Sequence, residues 1–106
     1  RWRKAGNRMD HKIVSLLGLA RRAGKAVLGY DQIQKRPRIF RVLVAASDVS
    51  DRTKKNIEAL SVPTVWISYT KKELGAKMGA AEVAVTGVTD GHFADQIILY
   101  AKRRSL

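Results

Sequence analysis

Val42-Leu43-Val44-Ala45-Ala46 is an apolar run with no polar interruption. A strand with one face on a core and one in water alternates apolar and polar residues. An uninterrupted run suits a central strand covered on both faces. Beyond it, Ser47-Asp48-Val49-Ser50 reads as a turn rich in cap candidates, and a helix is expected over Asp51–Leu60. Ile57 and Leu60 point inward on that helix, and Thr53, Lys54, Lys55 and Asn56 suit its surface. Val62-Pro63 makes a loop, and Thr64–Ser68 the next strand, with Val65 and Ile67 on one face and Trp66 on the other. Thr70-Lys71-Lys72-Glu73 fits a capping box, in which the threonine hydroxyl and the glutamate carboxylate each take a backbone N–H of the helix start. Leu74 and Met78 bury the helix that follows, with Met78 as core filler. Gly79-Ala80-Ala81-Glu82 is a small-residue loop that permits close approach, and Val83–Val88 the last strand. Thr89-Asp90 then caps a helix through Arg103, with Phe93, Ile97 and either Tyr100 or Ala101 inward.

Toward the N-terminus, a helix is expected to begin at Asp10 as N-cap. Ile13, Leu16, Leu17 and Ala20 recur at helical spacing as its buried stripe. Arg21 and Arg22 suit the negative end of the helix dipole, and Gly24 is a natural stop. His11 lies away from most of the stripe and reads as a lone surface histidine. Residues 1–9 are basic, without helical or strand period, and read as a tail or linker remnant ahead of one domain over 10–106. Arg and Lys in that tail suit phosphates, and Trp2 can stack on a base. A start at Arg1 rather than Met is expected of a processed, truncated or engineered chain, with room for a preceding domain.

Between these parts, Ala26-Val27-Leu28 reads as a short strand and leads into Gly29-Tyr30-Asp31-Gln32-Ile33-Gln34-Lys35. Glycine allows a tight turn into a helix, whose first N–H groups lack internal partners and can receive an anion. Ile33 anchors the helix, while Asp31, Gln32 and Lys35, four and three residues apart, are expected on nearly one outward face. An acceptor, an amide and a cation aimed one way suit base edges beside a phosphate. Lys35-Arg36-Pro37-Arg38 ends this helix. Strands alternating with helices imply a layered α/β or α/β/α sandwich whose four short strands form a small mixed or mostly parallel sheet.

The 106 residues suffice for one domain with one core. Lys and Arg number 21 against 9 acids, a formal charge of +12, and residues 1–41 hold 12 of the basic groups with only Asp10 and Asp31 opposing them. Such a surplus predicts attraction to a polyanion, nucleic acid before membrane. Without cysteine there is no disulfide, thiolate nucleophile or thiolate metal site. No apolar run is long enough to span a bilayer and no apolar signal core opens the chain, so the cytoplasm is the expected compartment. His11 and His92 lie in different segments without metal-ligand spacing, and no nucleophile elbow surrounds Ser47 and Asp48. Gly24-Lys25 lacks the rest of a nucleotide-binding phosphate loop. The expectation is therefore no enzyme, no cofactor and no metal.

Leu16-Leu17-Gly18-Leu19-Ala20-Arg21-Arg22-Ala23-Gly24-Lys25, the Gly29 helix start, Val42–Ser47 with Asp48, Thr53-Lys54-Lys55, Thr70–Gly75 and Val85–Asp90 stand in an order that resembles a known family. The chain looks like a bacterial member of the ribosomal protein superfamily that binds kink-turn RNA, which includes archaeal and eukaryotic large-subunit proteins. The resemblance covers nearly all of residues 10–104 and implies a three-layer α/β/α sandwich, here with a small four-stranded mixed sheet. The family's Gly-x-Asn-Glu-x-x-Lys motif reads tandem sheared G·A pairs, and its positions fall on Gly29, Asp31, Gln32 and Lys35. Asp31 stands in place of Asn, removing an amide donor and adding charge, and Gln32 in place of Glu. These departures imply a weaker affinity or a different preferred pair. The family's second contact region falls on Gly79, Ala80, Ala81, Glu82 and Val83. Pro37 departs from relatives whose second helix continues, and some bacterial relatives follow a small basic domain of another family.

The expected function is non-catalytic binding of structured RNA, a kink-turn in rRNA or an mRNA leader, with Arg21, Arg22, Lys25, Arg36 and Arg38 as backbone contacts. A monomer without preference for DNA is expected, with the ribosome as a possible setting. The competing readings are a ribosome-associated protein that contacts mainly protein, and the substrate-binding domain of an RNA methyltransferase.

Overall fold

Side chains alternate across a strand, so a fully apolar strand must feed two cores. In the computed structural model, which describes the backbone of residues 2–104 and the side chains of residues 8–104, Val42–Ala45 does this as strand β2. Val42, Val44 and Ala46 enter one core, while Leu43 and Ala45 enter another, all of them 0% exposed. Burying a Val or Leu side chain is worth roughly 1.5–3 kcal/mol, so this strand is a principal source of stability.

The other elements, in chain order, are α1 (Trp2–Arg22), β1 (Ala26–Leu28), α2 (Tyr30–Ile33), a 3-10 turn (Pro37–Ile39), α3 (Asp51–Glu58), β3 (Thr64–Trp66), α4 (Lys71–Met78), β4 (Val85–Val88) and α5 (Gly91–Arg103). The sheet order is β1-β4-β2-β3. β4 runs antiparallel to both its neighbours and β2 parallel to β3, so the sheet is mixed. α1, α4 and α5 cover the face carrying Val42, Val44 and Val65, and α2, α3 and the 3-10 turn cover the face carrying Leu43 and Val85. The architecture is a three-layer α/β/α sandwich. Trp66 falls on the face opposite Val65, as its spacing predicts.

Local chemistry sets the ends of the elements. Both halves of the Thr70 capping box form, with Thr70 Oγ1 accepting from the Glu73 N–H at 3.1 Å and Glu73 Oε1 from the Thr70 N–H at 2.9 Å. Ser50 caps α3 through the Thr53 N–H and Asp90 caps α5 through the Phe93 N–H. Gly87 lets the second layer approach, because a Cβ there would stand 2.5 Å from the Phe40 ring.

Several expected boundaries move. α1 begins at Trp2, not at Asp10, and Asp10 is an interior helical residue, 2% exposed. Once packing nucleates a helix, each added residue gains a hydrogen bond cheaply, and Arg, Lys and Ala are good helix formers without any apolar period. The base-stacking role for Trp2 and the phosphate roles of Arg1, Arg3 and Lys4 lie outside the described side chains. α3 stops at Glu58, β3 at Trp66, and β4 starts at Val85. Among the described residues no helix is long and apolar enough to cross a membrane.

Candidate functional site

Gly29 turns the chain from β1 into α2 with φ 92 and ψ 142, a conformation that side-chain-bearing residues rarely adopt. A Cβ there would meet nothing within 4 Å, so the requirement is on the backbone and not on space. The Gly29 N–H donates to the Val85 carbonyl at 2.8 Å, carrying the β1–β4 ladder one residue further. Ile33 is fully buried and pins α2, while Asp31 and Gln32 are exposed. Neither side chain has a hydrogen-bond or ionic partner among the described residues.

That same Val85 opens β4, so the loop before β4 stands at the same end of the sheet as Gly29. Gly79 ends α4 in the left-handed conformation, φ 76. The loop then folds back on the helix, its Ala80 N–H donating to the Gly75 carbonyl at 2.9 Å. Gly75 makes room for this return, since a Cβ on it would stand 2.8 Å from the carbonyl oxygens of Ala80 and Ala81. Ala81 and Glu82 are exposed, Ala80 is half-buried, and Val83 is 3% exposed within the core. Val83 therefore anchors the loop and offers no side chain to a ligand. Arg21, in the last turn of α1, brings Nη1 to 3.6 Å from where a Cβ of Gly79 would stand. The glycine turn, with its two exposed polar side chains, and the end of the small-residue loop thus share one rim, and the Arg21 guanidinium reaches Gly79 where that loop begins.

Other expected contacts lie elsewhere. α2 ends at Ile33 with Gln34 as its C-cap, so Lys35 sits in the turn that follows and not in the helix. The residue before proline avoids helical geometry, and Arg36, before Pro37, has φ -145 and ψ 65. Lys25 precedes β1, and its carbonyl accepts the Thr89 N–H at 2.9 Å beyond the far end of β4. It stands at the opposite rim, roughly 13 Å from Gly29 by strand rise. Arg38 borders a cavity of about 600 Å³ with Pro63, which precedes β3 at that same far rim. Arg36 leads into that connection, and Arg22 faces the groove between α1 and α4. All of these basic side chains are exposed.

No family model matches the chain, and no curated protein does so either. Among solved structures, the chain is similar to a protein of unknown function from Bacillus halodurans, at 28% identity over 86% of this chain and 97% of that one, with a TM-score of 0.74. It is also similar to the Giardia lamblia 15.5kD RNA binding protein, at 13% identity over 92% of this chain and 88% of that one, with a TM-score of 0.69. The chain shares its fold with an RNA-binding protein.

At the β3 edge a second polar cluster serves a different purpose. Asp10 Oδ2 accepts from the Ser68 N–H at 2.8 Å and the Ser68 hydroxyl at 2.7 Å, while Oδ1 pairs with Arg104 at 2.9 Å. Arg104 also donates to the Trp66 carbonyl. His11 is not a lone histidine, for its Nδ1 is bonded to the Tyr69 hydroxyl and the rings meet edge-on at 5.4 Å. Burial raises the Tyr69 pKa above the usual tyrosine value, helped by the negative charges of Asp10 and Glu73. Ser47 donates to the Tyr69 carbonyl and Asp48 accepts the Lys71 N–H, so both hold the chain after β2 in position. The signal for Asp10 was in the sequence, since it stands three residues before Ile13 and seven before Leu17, on the buried stripe itself.

Proposed function

We propose that this chain binds structured RNA without catalysis, and that the corner built by Gly29, Asp31, Gln32, Arg21 and the Gly79–Glu82 loop reads a kink-turn. The observation that carries the reading is the Gly29–Val85 hydrogen bond, because it joins the two sequence-distant motifs into one exposed surface. The fold shared with an RNA-binding protein and the charge of +12 support it. Asp31 and Gln32 offer unsatisfied hydrogen-bonding groups to base edges widened open by a kink, and Ala80 and Ala81 can cover an extruded base. Lys35, Arg36, Arg38 and Lys25 contribute as distributed charge that draws and holds phosphates. Val83 belongs to the site as its anchor. The protein acts as a monomer in the cytoplasm, on rRNA or an mRNA leader, and takes no cofactor or metal.

The test is a binding series with a kink-turn RNA and an unkinked duplex, at several salt concentrations, for the wild type, Gln32→Ala and Lys35→Ala. Gln32→Ala should narrow the gap between the two RNAs by about 1–3 kcal/mol, the usual worth of a direct base contact. Lys35→Ala should weaken both and reduce the salt slope by about 0.7–0.9, the amount for one phosphate. Equal affinity of the wild type for both RNAs would remove the kink-turn reading.

A further inference from the structure

Gly18 stands in the interior of α1, where glycine costs roughly 1 kcal/mol relative to alanine. Its three other roles in proteins are absent here. It has no positive φ, it does not end the helix, and no neighbour lies within 4 Å of the place its Cβ would take. That place opens into a groove of about 390 Å³ between α1 and α4. Val14 and Leu19 give the groove apolar walls, and Leu19 is 48% exposed. Arg22 and Lys77 supply cations, while Ser15 and the bonded His11–Tyr69 pair supply polar groups. Neither Arg22 nor Lys77 has an ionic partner among the described residues, and none of the groove's lining residues is acidic.

The direction of the groove connects it to the corner already described. His11 is bonded to Tyr69, just before α4, and Arg21 lies beside Gly79, just after α4. The two helices therefore run in the same sense, and the Arg22–Lys77 part of the groove lies toward Gly79. A strand leaving the Gly79 loop would meet this cationic end first.

We infer that the α1–α4 groove holds a single-stranded nucleotide of the RNA next to the structured element, its base lying over Gly18 and its phosphates between Arg22 and Lys77. The chemistry is that of single-strand binding, cations along the backbone and an apolar, polar-tipped slot for a base. The bare Cα of Gly18 allows the close approach that a side chain would block. The inference rests on the RNA-binding reading and extends it to a segment outside the kink.

Two RNAs test it, a structured RNA trimmed to its paired and kinked part and the same RNA with a short single-stranded extension at either end. The wild type should bind one extended form about two- to fivefold more tightly, up to the lower end of what stacking on an aromatic ring contributes, because the base meets Val14 and Leu19 and not a ring face. Gly18→Leu fills the slot from a Cβ that meets no neighbour and improves helix propensity, so, with circular dichroism confirming the fold, it should remove the gain while leaving the trimmed RNA unaffected. Lys77→Ala, an exposed change, should reduce the gain and its salt dependence. If the trimmed RNA binds and neither extension adds affinity, the groove assignment is overturned while the corner stands. A gain that persists in both variants also overturns it. Failure of the wild type to bind either RNA would instead defeat the RNA-binding reading on which the groove depends.

Discussion

Two corners of the same sheet rim use their polar residues in opposite ways. At the β3 edge, Asp10 accepts three hydrogen bonds, from Ser68 twice and from Arg104, and its carboxylate is buried away from solvent. At the β1 edge, Asp31 and Gln32 stand exposed without partners among the described residues, beside a glycine turn and a loop of small residues. The first corner ties α1, β3 and the end of α5 together. The second is held by backbone hydrogen bonds, from Gly29 to Val85 and from Ala80 to Gly75, and by the buried Ile33 and Val83, which leaves Asp31, Gln32 and Glu82 exposed. The fold uses the polar groups of the first corner to hold itself together, whereas it leaves those of the second exposed on a backbone fixed by hydrogen bonds.

Asp10→Ala should produce the largest effect on stability. It removes a carboxylate that is 3% exposed and takes one acceptor from Ser68 and one from Arg104, which keeps the Trp66 carbonyl. Breaking a buried pair costs about 3–5 kcal/mol, and Arg104 at 27% exposure can recover some hydration, so a loss near about 3 kcal/mol is expected in urea unfolding. RNA affinity of the folded protein should not change. A parallel loss of affinity would show that the two corners are coupled and would break the contrast.

Gly75→Ala should act on the open corner from beneath. Helix propensity alone favours alanine by roughly 1 kcal/mol. The new Cβ would stand 2.8 Å from two backbone carbonyl oxygens, which cannot rotate away as a side chain does. Overpacking of this kind costs about 1–3 kcal/mol, so net destabilisation of up to about 2 kcal/mol is expected, together with weaker RNA binding as the Gly79–Val83 loop shifts. Greater stability with unchanged RNA affinity would show that the loop is not held where this contact requires.

Thr86→Val gives the smallest effect and the opposite sign. Thr86 pairs with both Leu28 and Val44 in the middle of the sheet, and its buried hydroxyl has no hydrogen-bond partner among the described residues. Replacing it by a methyl group should raise stability by about 1 kcal/mol, measurable as a higher urea midpoint, with RNA binding unaffected. A loss of stability would mean that the hydroxyl is satisfied in solution, and that the sheet between the corners is not purely apolar in its demands.

The succession of helices and strands was legible because it rests on short-range chemistry. The uninterrupted Val42–Ala46 run, the Thr70–Glu73 capping box and Gly24 after Arg22 each act within a few residues, and each does in the structure what its local pattern implies. The exposure of Asp31 and Gln32 against a buried Ile33 also followed from spacing along one turn. Pro37 marks the end of α2 in the sequence, but the rule for the residue before proline reaches only Arg36, and α2 stops three residues earlier at Ile33.

What only the tertiary structure decided is which distant pieces meet. β4 inserts between β1 and β2 and runs against both, and no local pattern states the partner or direction of a strand. That insertion sets Gly29 beside the Gly79 loop and sends Lys25, only four residues earlier, to the other rim. The packing of α4 on α1 brings the Arg21 guanidinium to Gly79 and sets Arg22 along the groove that leads from it. Asp10 was on the apolar stripe from the start, but its acceptors' partners, Ser68 and Arg104, lie 58 and 94 residues away. Local propensity is settled by neighbours in the chain, whereas strand pairing, buried ion pairs and grooves are settled by contacts that exist only once the chain has closed on itself.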